Sequence, residues 1–188
     1  MTSRLFPQFL WDLLPKQKTV QAPPKASRPK ASTKRQAMYD ALVEEMKSTY
    51  QLRVRKWRSS TSGCAWEVHY HNGTVSRLIE SPYPRGPMSC AVFLHEVGHH
   101  AIGLSRYRPR CLEEYHAWRW ALEEMERRSI SVTERVLTRR DDALRYAVAK
   151  ALRRGLRRLP VELLQWAPPG VLGTDPQAKT SSSDPILV

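Results

Sequence analysis

Residues 88–102 are apolar nearly all round, reading Met-Ser-Cys-Ala-Val-Phe-Leu-His-Glu-Val-Gly-His-His-Ala-Ile. A helix without a polar face has to be buried on every side, so the rest of the chain must pack around this one element. Gly103 closes it, because glycine accepts the left-handed conformation common at helix ends. A bilayer takes roughly 20 consecutive apolar residues, and no run in the 188-residue chain approaches that. The centre of the fold is therefore a buried helix, and its few polar residues need partners inside the protein.

Among those residues are His95, Glu96 and His99, in the order His-Glu-Val-Gly-His. On a helix, positions i and i+4 lie about 40° apart, so both imidazoles can meet one metal ion. Glu96, one residue on, can reach water at that ion without ligating it. Two imidazoles and a carboxylate, with water in the fourth position, suit zinc. Zinc brings the pKa of such a water down toward about 7, and Glu96 can take its proton as the water attacks a carbonyl. The plainer reading is two hydrogen-bonded core histidines and a surface Glu. Three polar groups in so apolar a helix weigh against it, because unpartnered they are costly to bury.

A third ligand is expected from the next helical segment, 111–128. Leu112, Tyr115, Trp118, Ala121, Leu122 and Met125 form one broad apolar face at about 100° per residue. Glu114 falls within that face, and Glu113 lies about 100° away near its edge. A carboxylate inside an apolar stripe calls for a charged partner, which a metal supplies. Glu114 is the first candidate and Glu113 the second. His116 points away from Glu114 and reads as a supporting or surface residue.

Taken together, His95-Glu96-Val97-Gly98-His99 and Glu114-x-x-Ala117-x-x-Trp120-Ala121 resemble the ImmA/IrrE-type zincin metallopeptidases. That family's pattern is HExGH followed by a Glu-x-x-Ala-x-x-Phe-Ala helix. The resemblance covers about residues 36–128. It implies a minimal zincin, a small sheet over the active helix followed by the Glu helix, with His95, His99 and Glu114 on zinc and Glu96 as general base. The link from His99 to Glu114 is shorter than usual there, Trp118 stands where a small polar residue is common, and the helix-turn-helix module often found with these enzymes is absent. In zincins an edge strand beside the active helix pairs with extended substrate, and residues 75–80 are the expected counterpart. A residue polarising the scissile carbonyl is also expected, with His100, Tyr83 and Tyr107 as candidates.

The remaining pattern is α+β. Ala37, Ala41, Leu42 and Met46, with Met38 and Val43 adjoining, predict a helix over 36–50. Residues 52–57 alternate apolar and basic as a half-buried strand. Residues 65–71 set Trp66, Val68 and Tyr70 on one face, and Asn72-Gly73 predicts a type I′ hairpin into a strand over 74–80. Ser131-Val132-Thr133-Glu134 has capping-box spacing and should open a further helix, with helical propensity running through 143–154 to Gly155. One domain over 36–166 results: a small antiparallel sheet on the active helix, the Glu helix, and C-terminal helices. Residues 1–35, with Pro15, Pro23, Pro24 and Pro29 among Lys, Ser and Ala, read as a flexible basic linker, and 167–188 as a disordered tail.

Lys and Arg outnumber Asp and Glu by 31 to 18, a net charge of +13. That excludes an acidic solvating protein and favours a polyanion partner. The excess sits in two places. Residues 1–35 hold eight Lys/Arg against Asp12, and the run from Arg139 to Arg158 holds eight against Asp141 and Asp142. The part carrying the His-Glu motif is close to neutral, so the chemistry is expected away from the charge. Leu144, Val148, Ala151 and Leu152 mark the core-facing stripe of the last helix, placing Arg145 and Lys150 toward solvent. That basic face offers nonspecific contact with nucleic acid or an acidic protein, or is simply a solvated helix face. Three cysteines (Cys64, Cys90, Cys111) cannot all pair, and Cys90 and Cys111 read as buried thiols. The leading expectation is a cytoplasmic zinc metallopeptidase acting on a peptide or protein. The competing class is a basic binding or regulatory protein that keeps such a fold without hydrolysing anything.

Overall fold

The computed structural model describes residues 33–171 and 173–174. Most of the linker and most of the C-terminal tail expected from the sequence lie outside the described residues. Helix α1 (Thr33–Tyr50) leads into strands β1 (Leu52–Arg58), β2 (Cys64–His69) and β3 (Val75–Pro82), and then into helices α2 (Pro87–Ala101), α3 (Arg110–Arg127) and α4 (Glu134–Arg153). A two-residue strand β4 (Leu159–Pro160) and a 3-10 helix (Val161–Trp166) follow. Strand β5 (Gly173–Thr174) pairs in parallel with β4, so the segment read as tail adds a short ladder to the fold. Among the described residues no helix is long and apolar enough to cross a membrane.

Helix α2 is buried continuously from Cys90 to His100, as its composition demands. Pro87 occupies its first turn, where a missing N–H costs nothing. The Ser89 hydroxyl accepts hydrogen bonds from the amides of Arg85 (2.9 Å) and Gly86 (3.2 Å). At the other end Gly103 takes φ +87° and turns the chain back.

The sheet has the order β1-β3-β2 and is mixed. The expected hairpin β2–β3 is antiparallel, whereas β1 joins β3 in parallel. Only Gly73 has a positive φ in the hairpin loop, and its amide donates to Tyr70 O at 3.0 Å. The turn is thus an ordinary one closed by a left-handed glycine rather than type I′, which needs positive φ at both central residues. Asn72 stabilises it by accepting from the Thr74 amide and hydroxyl.

This order corrects the expectation for residues 75–80. β3 is the middle strand, with both edges paired, and cannot add a substrate strand. The physical reason lies in its burial: residues from Ile79 to Pro82 are buried against α2, where unpaired backbone groups would be costly. The exposed alternation of Arg53, Arg55 and Lys56 suits β1 to an edge instead. Glu80 ties β1 to β3 by accepting from Arg55 at 3.0 Å and pairing with Arg58 at 2.9 Å.

The buried face of α1 is rotated from expectation. α1 buries Tyr39, Leu42, Val43 and Met46, while Ala37, Met38 and Ala41 are exposed. The large Tyr39 ring removes more apolar area from water than two alanines. α4 begins at Glu134 with Thr133 in the N-cap position and no side-chain cap, so the Ser131–Glu134 capping box does not form. Its core stripe is Val136, Leu144 and Val148.

Helices α2 and α3 cross at Gly98. A Cβ there would lie 2.9 Å from Ala117 O and 3.1 Å from the Trp120 ring. Gly98→Ala is expected to destabilise the fold by about 1–3 kcal/mol through forced separation of the helices, as measured by urea denaturation. Helix propensity alone would raise stability by up to about 1 kcal/mol, so a more stable variant would contradict the close crossing.

Candidate metal centre

Helix α2 presents His95, Glu96 and His99, and the first turn of α3 presents Glu113 and Glu114. Ligand-type atoms of His95, His99 and Glu114 lie within 4.8 Å of one another. His95 Nε2 is 3.3 Å and His99 Nε2 3.6 Å from Glu114 Oε2. The two imidazoles stand 4.8 Å apart at 70°. His95 stacks on Trp118 at 4.4 Å and 20°, and its Nδ1 has no hydrogen-bond partner among the described residues. Ring stacking therefore orients His95.

Glu113 and Glu114 divide their work differently from expectation. Glu113 is the deeply buried one, at 1% exposure, while the Glu114 side chain is 23% exposed. The buried face of α3 runs through Cys111, Ala117, Trp118, Ala121 and Met125 rather than through Leu112, Tyr115 and Leu122. Both carboxylates nevertheless reach the histidine pair, from opposite sides. Glu114 faces the Nε2 atoms, and Glu113 accepts a hydrogen bond from His99 Nδ1 at 3.0 Å. The other Glu113 oxygen accepts from the Ser105 amide at 2.9 Å. Ser105 has φ +62°, so the short loop folds back tightly enough to bring α3 onto α2. Arg110 completes the group, pairing with Glu113 at 3.2 Å and Glu114 at 3.1 Å. Glu113 as the group orienting His99 was missed in the sequence. Its adjacency to Glu114 was the available signal.

Burial pushes His95 down to about 4, so the imidazole is neutral with a lone pair on offer. Burial would lower His99 as well, but Glu113 and Glu114 outweigh it and hold that ring up at about 9. Burial works against the Glu114 charge, yet His95 and His99 keep the carboxyl well below its usual range. The cluster thus favours positive charge between two carboxylates, a demand that a proton on His99 or a divalent cation can meet. Burial raises Glu96 to about 7. It is 5% exposed and forms no ion pair among the described residues. Gly63 makes room for it: a Cβ at Gly63 would lie 2.5 Å from the Glu96 carboxylate.

The cluster opens on a cleft of about 820 Å³. Its floor is α2 and α3, one wall is the Ser62–Ala65 end of β2, and the other is α4 from Arg139 to Arg154. None of His100, Tyr83 and Tyr107 lines it. The His100 ring lies 3.1 Å from Leu78 O, Tyr83 donates to Asp40 at 2.7 Å, and Tyr107 stacks on His116 at 3.9 Å. His116 itself is outside the cluster, tied up with Tyr107 and Tyr115. The cleft's donors are instead Arg110, Arg139, Tyr146, Lys150 and Arg154. Lys150 is exposed as expected, but the side it faces is the mouth of the cleft. Cys64, Cys90 and Cys111 are free thiols. Cys111 is buried, and burial holds Cys90 up at about 12.

The donor set fits a zinc ion: a neutral imidazole, a second imidazole held by a carboxylate, and an ionised Glu, beside a buried carboxyl poised near neutrality. Comparison with family models, with curated proteins and with solved structures gave no match.

Proposed function

We propose that this chain is a zinc-dependent metallopeptidase of the minimal zincin type, similar to the ImmA/IrrE-type enzymes. The observation that carries the reading is the convergence of His95, His99 and Glu114 beside Glu96 on the floor of an open cleft. His95 Nε2, His99 Nε2 and Glu114 Oε2 would hold the metal. A zinc ion held there supplies a Lewis acid that polarises a carbonyl and makes water acidic near neutral pH. Glu96 takes the proton of the attacking water and returns it to the leaving amine. Glu96 is buried one residue after His95 and pairs with no cation among the described residues, so its carboxylate is free to take up that proton and give it back. Glu113 fixes the orientation of His99 and keeps its Nε2 turned toward the site. Substrate backbone is expected along the β2 edge at Ser62–Ala65, which replaces β3 as the strand available for pairing.

The test is hydrolysis of a quenched-fluorescent peptide library by the purified chain. Cleavage should stop on addition of 1,10-phenanthroline and return with about one equivalent of zinc. Cleavage indifferent to the chelator would refute the proposal. Zinc binding without any cleavage would favour a non-catalytic binding protein on the same fold.

Glu113→Gln should weaken zinc binding by about 10–100-fold although all three ligands remain. Competition with a chromophoric chelator measures this. An unchanged affinity would show that Glu113 does not support the metal through His99.

A further inference from the structure

One face of α4 forms an entire wall of the cleft. Arg139, Ala143, Tyr146, Ala147, Lys150 and Arg154 recur at helical spacing along it, with Asp142 and Ala151 in the same stripe. The fifteen residue steps from Arg139 to the C-cap Arg154 rise roughly 22 Å, the length of about six or seven residues of extended peptide. The alanines leave a furrow between the long side chains.

Three of the four charged side chains on this wall are cations. Arg139 donates to Thr61 O at 3.2 Å, and Lys150 lies over the exposed Tyr146 ring at 5.9 Å. Among the described residues no carboxylate pairs with Arg139, Lys150 or Arg154. The one acid in the stripe, Asp142, is paired with Arg145 at 3.1 Å. On the cleft floor Glu114 is engaged by His95, His99 and Arg110. A chain laid in the cleft therefore meets a line of three cations on one side.

We propose that the cleft selects acidic peptide segments, whose Asp and Glu side chains face Lys150, Arg154 and Arg139 along α4. The inference rests on the metallopeptidase reading for its chemistry, while the charge selection is a binding property that can be measured without hydrolysis. The cleft holds about 820 Å³. A single extended peptide strand fits it, and its side chains alternate toward and away from α4.

The test compares fluorescein-labelled peptides of one sequence framework flanked by Glu or by Lys, with binding read by anisotropy on the zinc-loaded chain carrying Glu96→Gln. The Glu-flanked peptide should bind about tenfold more tightly at low salt, as expected for two or three exposed ion pairs, and the gap should close as salt rises. In the wild-type chain the same preference should appear in kcat/KM. Lys150→Glu with Arg154→Glu should reverse the preference, and the glutamine pair should abolish it; both residues are exposed, and retained zinc content verifies the fold. Equal binding of the two peptides, or a preference that these substitutions leave intact, would overturn the inference. So would a single-stranded oligonucleotide that outcompetes the Glu-flanked peptide and depends on Lys150 and Arg154. Absence of cleavage with an intact acidic preference would sink the peptidase reading alone. Cleavage without acidic preference would sink this inference alone.

Discussion

Glu96→Gln is expected to lower peptide hydrolysis by about 10²–10⁴-fold while leaving zinc content and stability almost unchanged. The substitution keeps the size and shape of the side chain, so the close fit against Gly63 survives. It removes only the ability to take up a proton. Glu96 lies one residue after His95 and is not among the atoms that converge on Glu114, so metal affinity has no reason to change. Losing a general base alone costs about 10²–10⁴ in rate. A variant with activity within tenfold of wild type would remove Glu96 from the chemistry. Loss of zinc along with activity would make it a ligand instead.

His99→Ala should have the largest effect on the protein as a whole. It removes one of three ligands, and it also strips the partner from two carboxylates. Glu113, at 1% exposure, would keep only Arg110 and the Ser105 amide. Removing one member of a buried charged group typically costs about 3–5 kcal/mol. His95→Ala should abolish zinc binding equally. His95 is neutral and stacks on Trp118, and its removal leaves Glu114 with His99 and Arg110 and leaves Glu113 untouched. Urea denaturation of the zinc-free proteins separates the two. His99→Ala should be clearly less stable than His95→Ala at neutral pH, and equal stability would contradict the carboxylate cage around His99.

The centre of this fold was legible because one property dominated it. A segment apolar all round can only be buried, and two of the polar residues inside it, His95 and His99, stand four positions apart on one helix face. Glu114 was also legible, although for a partly mistaken reason. The apolar stripe of α3 points to Glu114 as its buried carboxylate, yet the structure buries Glu113 more deeply and brings Glu114 to the Nε2 atoms. Periodicity resolves a face only to within one residue, because neighbours differ by about 100° and the face is about that wide. The parallel pairing of β1 was not legible. Strand order depends on which strand the core covers, and the local pattern of residues 75–80 does not carry that. The role of α4 was lost for a similar reason. Charge along the chain separates α4 from the His-Glu motif, whereas tertiary packing lays one face of that helix along the cleft. Gly63 carried no local signal, since its requirement comes from Glu96, 33 positions later in the sequence.

The most direct measurement is metal stoichiometry by elemental analysis after zinc loading and gel filtration, on wild type and on Glu114→Gln. Wild type should retain one zinc per chain, and Glu114→Gln should retain little or none after the same treatment. Wild type that cannot hold zinc, or Glu114→Gln that holds it as tightly, would contradict the assignment of His95, His99 and Glu114 as a metal centre.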